Sequence, residues 1–279
     1  MSLKKRIIEK FYLIFYANIV DILDMEIDQK IYIVSVAVIA IVIGLYYFKN
    51  ISNTIPIVVI ARNNLFFVRN FMNQLKKYEN PIIIFDNNST YAPMFDFYKE
   101  IKEEFGSKID IRQLDINEGC GVASVYKDNL PPVFILSDPD LQLNPRMPAN
   151  FSDIMLDLSN KYGAYKVGLA LDISEPDKLL PCKKYDHGKT IYEWESRFWK
   201  KKIKEDTWYE LYDAPTDTTF CLINRVYPET KQIRIAGDFT AKHLPWYNGF
   251  LKKHIPKDEF EAWKEGNNSS SILKSCITD

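Results

Sequence analysis

The chain has 279 residues and a formal net charge of −1, with 36 basic residues against 37 acidic ones. That length can bury one large core, and so even a charge balance leaves no basic field for general nucleic-acid binding. One domain of catalytic size is therefore expected, and nucleic acid is not expected as a partner.

Taken in chain order, residues 1–30 carry Lys4, Lys5, Arg6, Lys10 and Lys30 around a short apolar stretch, FYLIFYANIV, at 11–20. That stretch is too short to span a bilayer and reads as an interfacial helix or half of a hairpin. Residues 31–48, IYIVSVAVIAIVIGLYYF, hold no charged residue and lie between Lys30 and Lys49. Their length reaches the lower bound of about 17 residues for a spanning helix, and apolar character on every face suits lipid better than a soluble core. The expectation is a single-pass membrane anchor with a cytoplasmic N-terminus, because most of the nearby cations precede the span. A hairpin would instead keep the remaining chain in the cytosol.

A polar linker at 49–54 leads into a folded domain at 55–262, and a polar tail follows at 263–279. IPIVVIARNN (55–64) and PIIIFDNNST (81–90) each pair an apolar run with a polar loop, which predicts buried strands ending in loops. Helical patterns fill 66–78 and 92–105 between and after them. IDIRQLDINEG (109–119) alternates more, as a strand near a sheet edge would. PPVFILSDPDL gives a fourth strand, 148–162 a helix with Phe151, Ile154, Met155 and Leu158 on one face, and YKVGLALDIS a fifth strand. Strands alternating with helices predict a largely parallel α/β sheet with helices on both faces. In such sheets ligands bind beyond the carboxyl ends of the strands, where Asn63, Asp86, Asn117, Asp138 and Asp140 fall.

After Pro176 the pattern loosens. IYEWESRFWKKK (191–202) reads as an aromatic, charged helix; YELYDAPTDTTFCLINR (209–225) contains a strand; IRIAGDFTAKHLPWY (233–247) carries His243. Cys120, Cys182, Cys221 and Cys276 are far apart and lack C-x-x-C spacing, so they are expected to be ordinary thiols. Sequons stand at Asn87, Asn88, Asn150, Asn267 and Asn268.

Asp138-Pro139-Asp140 directly follows the most apolar strand of the domain. Two close carboxylates repel unless a proton or cation lies between them, and magnesium or manganese takes oxygen ligands while bridging phosphates. Such an ion offsets the charge that develops on a departing diphosphate.

Several motifs in this order carry a family resemblance: Ala61-Arg62-Asn63, the Asp86-Asn87-Asn88-Ser89 loop, Asn117-Glu118-Gly119, Asp138-Pro139-Asp140 and the late His243-Leu244-Pro245-Trp246. Over roughly residues 55 to 247 the chain resembles family 2-like nucleotide-sugar glycosyltransferases of the GT-A fold. The resemblance implies a GT-A-type, Rossmann-like α/β domain behind the anchor. It also implies transfer of a sugar, a hexose in most of the class, from a nucleotide-diphosphate sugar to a hydroxyl of a carbohydrate, glycolipid or glycoprotein acceptor, with inversion.

By the same resemblance, Asp86 would recognise a uracil-type base, as in a UDP-sugar, and Asn63, Asn117 and Gly119 would line the nucleoside pocket, with Gly121 beside them. Asp138 and Asp140 would hold a manganese or magnesium ion and the sugar diphosphate, and His243 would reach back to that metal or to the diphosphate. The family usually places an acidic base, often after a Glu, between the D-x-D and the late histidine. No Glu-Asp pair stands between Asp213 and His243, so the base falls to Asp217 first, Asp213 second and Asp238 third. Trp194, Glu195, Trp208 and Trp246 are candidates for an acceptor-side wall, since flat aromatic faces pack on sugar rings. Two other classes stay open at this point. One is a nucleotidyltransferase, against which the absence of a glycine-rich basic loop after the first strand counts; the other is a membrane-tethered, inactive nucleotide-sugar binding module.

Overall fold

A computed structural model of the protein describes residues 35–36, 38–42, 55–182, 188–204, 208–266, 270, 272–273 and 276. Most of the expected anchor at 31–48, and all of 1–30, lie outside the described residues. Among the described residues no helix is long and apolar enough to cross a membrane.

The domain is built on an eight-stranded sheet in the order β3-β2-β1-β4-β8-β6-β9-β7. Its first half is parallel: β1 (Ile57–Ala61) lies between β2 (Ile82–Asp86) and β4 (Val133–Ser137), and β3 (Ile109–Gln113) closes the edge. The alternating sequence of β3 matches that edge position. The two apolar runs Ile57–Ala61 and Ile82–Asp86 are buried throughout, because the sheet is covered on both sides.

The cover is unequal. Helices α1 (Leu65–Leu75), α2 (Ala92–Phe105) and α4 (Phe151–Tyr162) all contribute to the large core that takes Ile57, Val59 and Ala61. Successive right-handed crossovers in one direction, β1 to β2 to β3, put their helices on one face. The connection from β3 back to β4 passes on the other face, where the short helix α3 (Val122–Val125) and Leu130 cover Val58, Ile60, Phe85 and Leu136.

The second half of the sheet is mixed. β8 (Cys221–Asn224) runs antiparallel between β4 and β6 (Lys166–Leu169); β9 (Gln232–Ile235) is parallel to β6, and β7 (Leu211–Asp213) closes the far edge antiparallel to β9. The stretch 209–225, expected to hold one strand, thus supplies two, β7 and β8, separated by the turn 214–220. A two-stranded ladder completes the frame, pairing β5 (Leu141–Gln142) with β10 (Lys242–His243), His243 opposite Leu141.

One expectation needs correcting. Cys182 and Cys276 form a disulfide with Cα atoms 5.2 Å apart, although 94 residues separate them in sequence. Spacing along the chain cannot reveal a bridge made by tertiary proximity; only Cys120 and Cys221 are free thiols. Within the segment read as a polar tail, Trp263 and Ile272 are buried, Ile272 in the main core.

Candidate functional site

A cleft of about 250 Å³ opens at the carboxyl ends of β1, β2 and β4. Its walls include Arg62, Asn87, Asn117 and Gly119, the acids Asp138, Asp140 and Asp217 with His243, and Trp194, Glu195, Arg234 and Trp246. Side chains from widely separated stretches of sequence converge there because strand ends, not strand bodies, point at the cleft.

The acidic corner is assembled by two local devices. β4 ends at Ser137, so Asp138 and Pro139 leave the ladder, and the chain re-enters extended structure only at Leu141. The Asp138 N–H donates to the Thr218 carbonyl at 2.8 Å, while the Thr218 hydroxyl donates to the Asp138 carboxylate. Burial, and after it the charge of Asp140, push the Asp138 carboxyl well above the usual range.

Asp140 is placed by the β5–β10 ladder. Its carbonyl accepts the Leu244 N–H at 2.9 Å, which brings His243 Nε2 to 3.3 Å from Asp140 Oδ2. Trp246 packs on the imidazole with ring centroids 4.7 Å apart. The opposite atoms, Asp140 Oδ1 and His243 Nδ1, are buried with no hydrogen-bond partner. Buried polar atoms are ordinarily satisfied, so these two are open to a partner from outside the chain, a water or a ligand group.

Of the residues singled out for the nucleoside side, Asn117 and Gly119 line the cleft, whereas Asn63 and Asp86 do not. Asp86 is 1% exposed; its two carboxylate oxygens accept the Ser89 N–H at 2.7 Å and the Tyr98 hydroxyl at 2.6 Å. Asn63, with φ of 50°, accepts the N–H groups of Thr90 and Tyr91 and donates to the Ala262 carbonyl. Both side chains shape the loops behind the cleft. Asn87 makes the link forward: it accepts the Glu118 N–H and donates to the Gly119 carbonyl, clamping the 117–119 turn at the rim. Gly119 itself has φ of 59°, a conformation that favours glycine. Arg62 donates to the Asn87 and Asn88 carbonyls and also faces the cleft.

Among the acids named for proton removal, Asp217 lies in the cleft wall and is exposed. Asp213 ends β7 outside that wall, its N–H bonded to the Lys201 carbonyl. Asp238 pairs with Arg146 at 3.0 Å, also outside. Trp194, Glu195 and Trp246 face the cleft; Trp208, at 99% exposure, does not.

Helix α5 (Ile191–Glu195) starts on a capping box, in which the Thr190 hydroxyl accepts the Glu193 N–H and the Glu193 carboxylate accepts the Thr190 N–H. It delivers Glu195 to a buried ion pair with Arg234, whose Nε donates to the Pro215 carbonyl at 2.7 Å. Burial raises the Glu195 carboxyl to about 7, with Arg234 acting in the opposite direction. The Glu195 Oε1 is taken up by Arg234, which fixes the side chain in the cleft wall.

Sequence reasoning missed Thr218, Thr219 and Arg234, and also Ser270 and Ile272, which line the cleft from the chain's far end. The two threonines directly follow Asp217, which offers a local signal. For Arg234, an alternating strand gives no hint that its charge turns inward.

No protein-family model and no curated protein matches the chain. Among solved structures, it is similar to GalNAc-T7 with UDP, GalNAc and Mn2+, at 12% identity and a TM-score of 0.49, covering 76% of this chain and 47% of that one. It is similar to the mannosyltransferase PcManGT from Pyrobaculum calidifontis in complex with GDP-Man and Mn2+, at 8% identity and a TM-score of 0.43, covering 79% and 67%. It is likewise similar to S. aureus TarS 1-349, at 13% identity and a TM-score of 0.42, covering 81% and 67%. The chain thus spans about half the length of the first of these structures.

Proposed function

We propose that this protein is a metal-dependent glycosyltransferase that moves a sugar from a nucleotide-diphosphate sugar to a hydroxyl acceptor, with inversion, while anchored by residues 31–48. The observation that carries this reading is the Asp140–His243 contact, with an unpartnered atom on each side chain, in the same cleft as Asp138 and Asp217.

Asp138, Asp140 and His243 offer carboxylate and imidazole donors suited to manganese or magnesium. Among the described residues no three His, Cys, Asp or Glu side chains form a cluster that could hold a metal. The protein would therefore supply part of a coordination shell, and diphosphate oxygens the rest. When bound, a divalent cation would neutralise charge on the departing diphosphate. Burial and, after it, the charge of Asp140 favour protonation of Asp138, and a cation held there would offset the repulsion between the two carboxylates.

The remaining roles belong to the chain itself. Asn117, Gly119 and Arg62 would border the nucleoside, Trp194 and Trp246 would flank a sugar ring, and Asp217 would take the acceptor proton. The assignment of the base to Asp217 rests on its place in the cleft wall, which Asp213 and Asp238 do not share. The anchor reading is supported by the described part of 31–48, where helical Val36, Val38, Ile39, Ile41 and Val42 are 48–59% exposed.

A screen of nucleotide-sugars with and without manganese, read as a change in melting temperature, tests the reading, because a ligand that binds only the folded state stabilises it. Metal-dependent stabilisation and slow donor hydrolysis are expected, both lost in Asp140→Ala. Full activity in that variant would overturn the site assignment.

A further inference from the structure

The turn that carries Asp217 is held in a costly conformation. Phe220, a bulky residue, sits at φ of 48°, one of three positive-φ residues other than glycine among those described. Its side chain leaves no freedom to relax, being fully buried between Phe71 and Phe151 with ring centroids at 6.2 and 5.4 Å. Around it, the Thr216 N–H donates to Gln232 Oε1 at 2.7 Å, and the Cys221 thiol donates to the Asp217 carbonyl at 3.2 Å. The Thr218 carbonyl accepts both the Asp138 and the Phe220 N–H. Strain that neighbouring contacts enforce so fully tends to sit where a side chain must be presented.

What the turn presents, besides Asp217, is Thr219. This residue is 7% exposed and stands in the cleft wall, yet its Oγ1 has no hydrogen-bond partner. Thr218, one residue earlier, spends its hydroxyl on Asp138. The two adjacent threonines therefore differ: one is satisfied within the protein and the other is not. A buried hydroxyl without a partner is destabilising, so its natural complement is a group brought by a ligand.

We propose that Thr219 is a specificity-determining residue whose hydroxyl bonds a hydroxyl of the donor's sugar ring. This rests on the glycosyltransferase reading above. Thr219 follows directly on the residue that holds Asp138, so a sugar attached to a diphosphate at Asp138 and Asp140 lies within the same corner. The nucleoside would be bordered by Asn117 and Gly119, which belong to a different loop from the turn that carries Thr219.

The test compares Thr219→Val, nearly isosteric but without the hydroxyl, with Thr219→Ser in the full chain. Binding is measured by calorimetry with manganese, using UDP, GDP and their glucose, galactose and mannose derivatives as probes. The valine variant is expected to melt at or above the wild-type temperature, since it loses only an unsatisfied buried group. It should bind the nucleoside diphosphate within about twofold of wild type but bind the nucleotide-sugar about 5- to 10-fold more weakly, the size of one neutral hydrogen bond. Serine should restore most of that loss. A lower melting temperature for valine overturns the proposal by showing a structural bond, as does unchanged sugar binding or an equal loss for both probes. If wild type binds neither class of probe, the glycosyltransferase reading falls, and this one with it.

Discussion

Replacing Gly168 by alanine should damage the site from behind. Gly168 lies in β6, paired with Cys221 on one side and Arg234 on the other, and a Cβ there would stand 2.6 Å from Thr216 Cγ2, 2.8 Å from Thr216 Cβ and 3.2 Å from Cys221 Cβ. Thr216 cannot swing away freely: it is buried, β-branched, and its N–H is tied to Gln232. Either the sheet parts or the 214–220 turn moves. Overpacking of this kind costs about 2 kcal/mol, which in a domain this size lowers the melting temperature by about 4 to 8 °C. Because Asp217, Thr218 and Thr219 ride on the same turn, nucleotide-sugar binding should fall as well, and Asp138 should lose its partner Thr218. Thermal unfolding with and without a stabilising nucleotide-sugar reads both effects. A variant that melts within about 1 °C of wild type and binds ligand normally would show that the close approach of β6 to this turn does not matter.

Two further outcomes follow from other parts of the structure. Reduction of Cys182–Cys276, or Cys276→Ser, releases a constraint closing a loop of about 95 residues and should cost about 2–5 kcal/mol; the melting temperature with and without a dithiol measures this. Ser270 and Ile272 line the cleft six and four residues before Cys276, so ligand affinity should drop in step, and unchanged affinity would separate the bridge from the site. The second concerns pH. The Glu195 carboxyl is raised from 4.5 to about 7 by burial, so its folded form favours the proton, and its contribution to stability is full below pH 4.5 and is lost as pH rises through 7. At 1.36 kcal/mol per unit this amounts to at most about 3 kcal/mol. Glu195→Gln should flatten the fall in stability between pH 5 and 7.5, and an unchanged pH profile would contradict the assignment.

Much of the fold was legible along the chain. Apolar runs followed by polar loops marked β1, β2 and β4, the period of 3.6 marked α1, α2 and α4, and the alternation in 109–119 placed β3 at an edge. These are local signals, since a strand covered on both faces must be apolar throughout. Asn117, Asp138 and Asp140 could be singled out because polar residues at strand ends are conspicuous beside apolar runs, whereas Asp217 and His243 were singled out by the family resemblance.

Tertiary structure alone decided which of those residues meet. Asp86 and Asn63 stand at the same strand ends as the cleft residues, yet loop hydrogen bonds turn their side chains inward, which no spacing reveals. His243 comes to Asp140 only through a two-residue ladder joining segments about 100 positions apart. The Cys182–Cys276 bridge, the buried Glu195–Arg234 pair and the return of Ile272 to the cleft are likewise contacts between distant stretches. Such contacts leave no periodic trace, because each depends on where the sheet and its crossovers carry the chain in space. The chain's own pattern therefore specified the layers and the strand ends, and packing selected from the residues there the few that share one cleft.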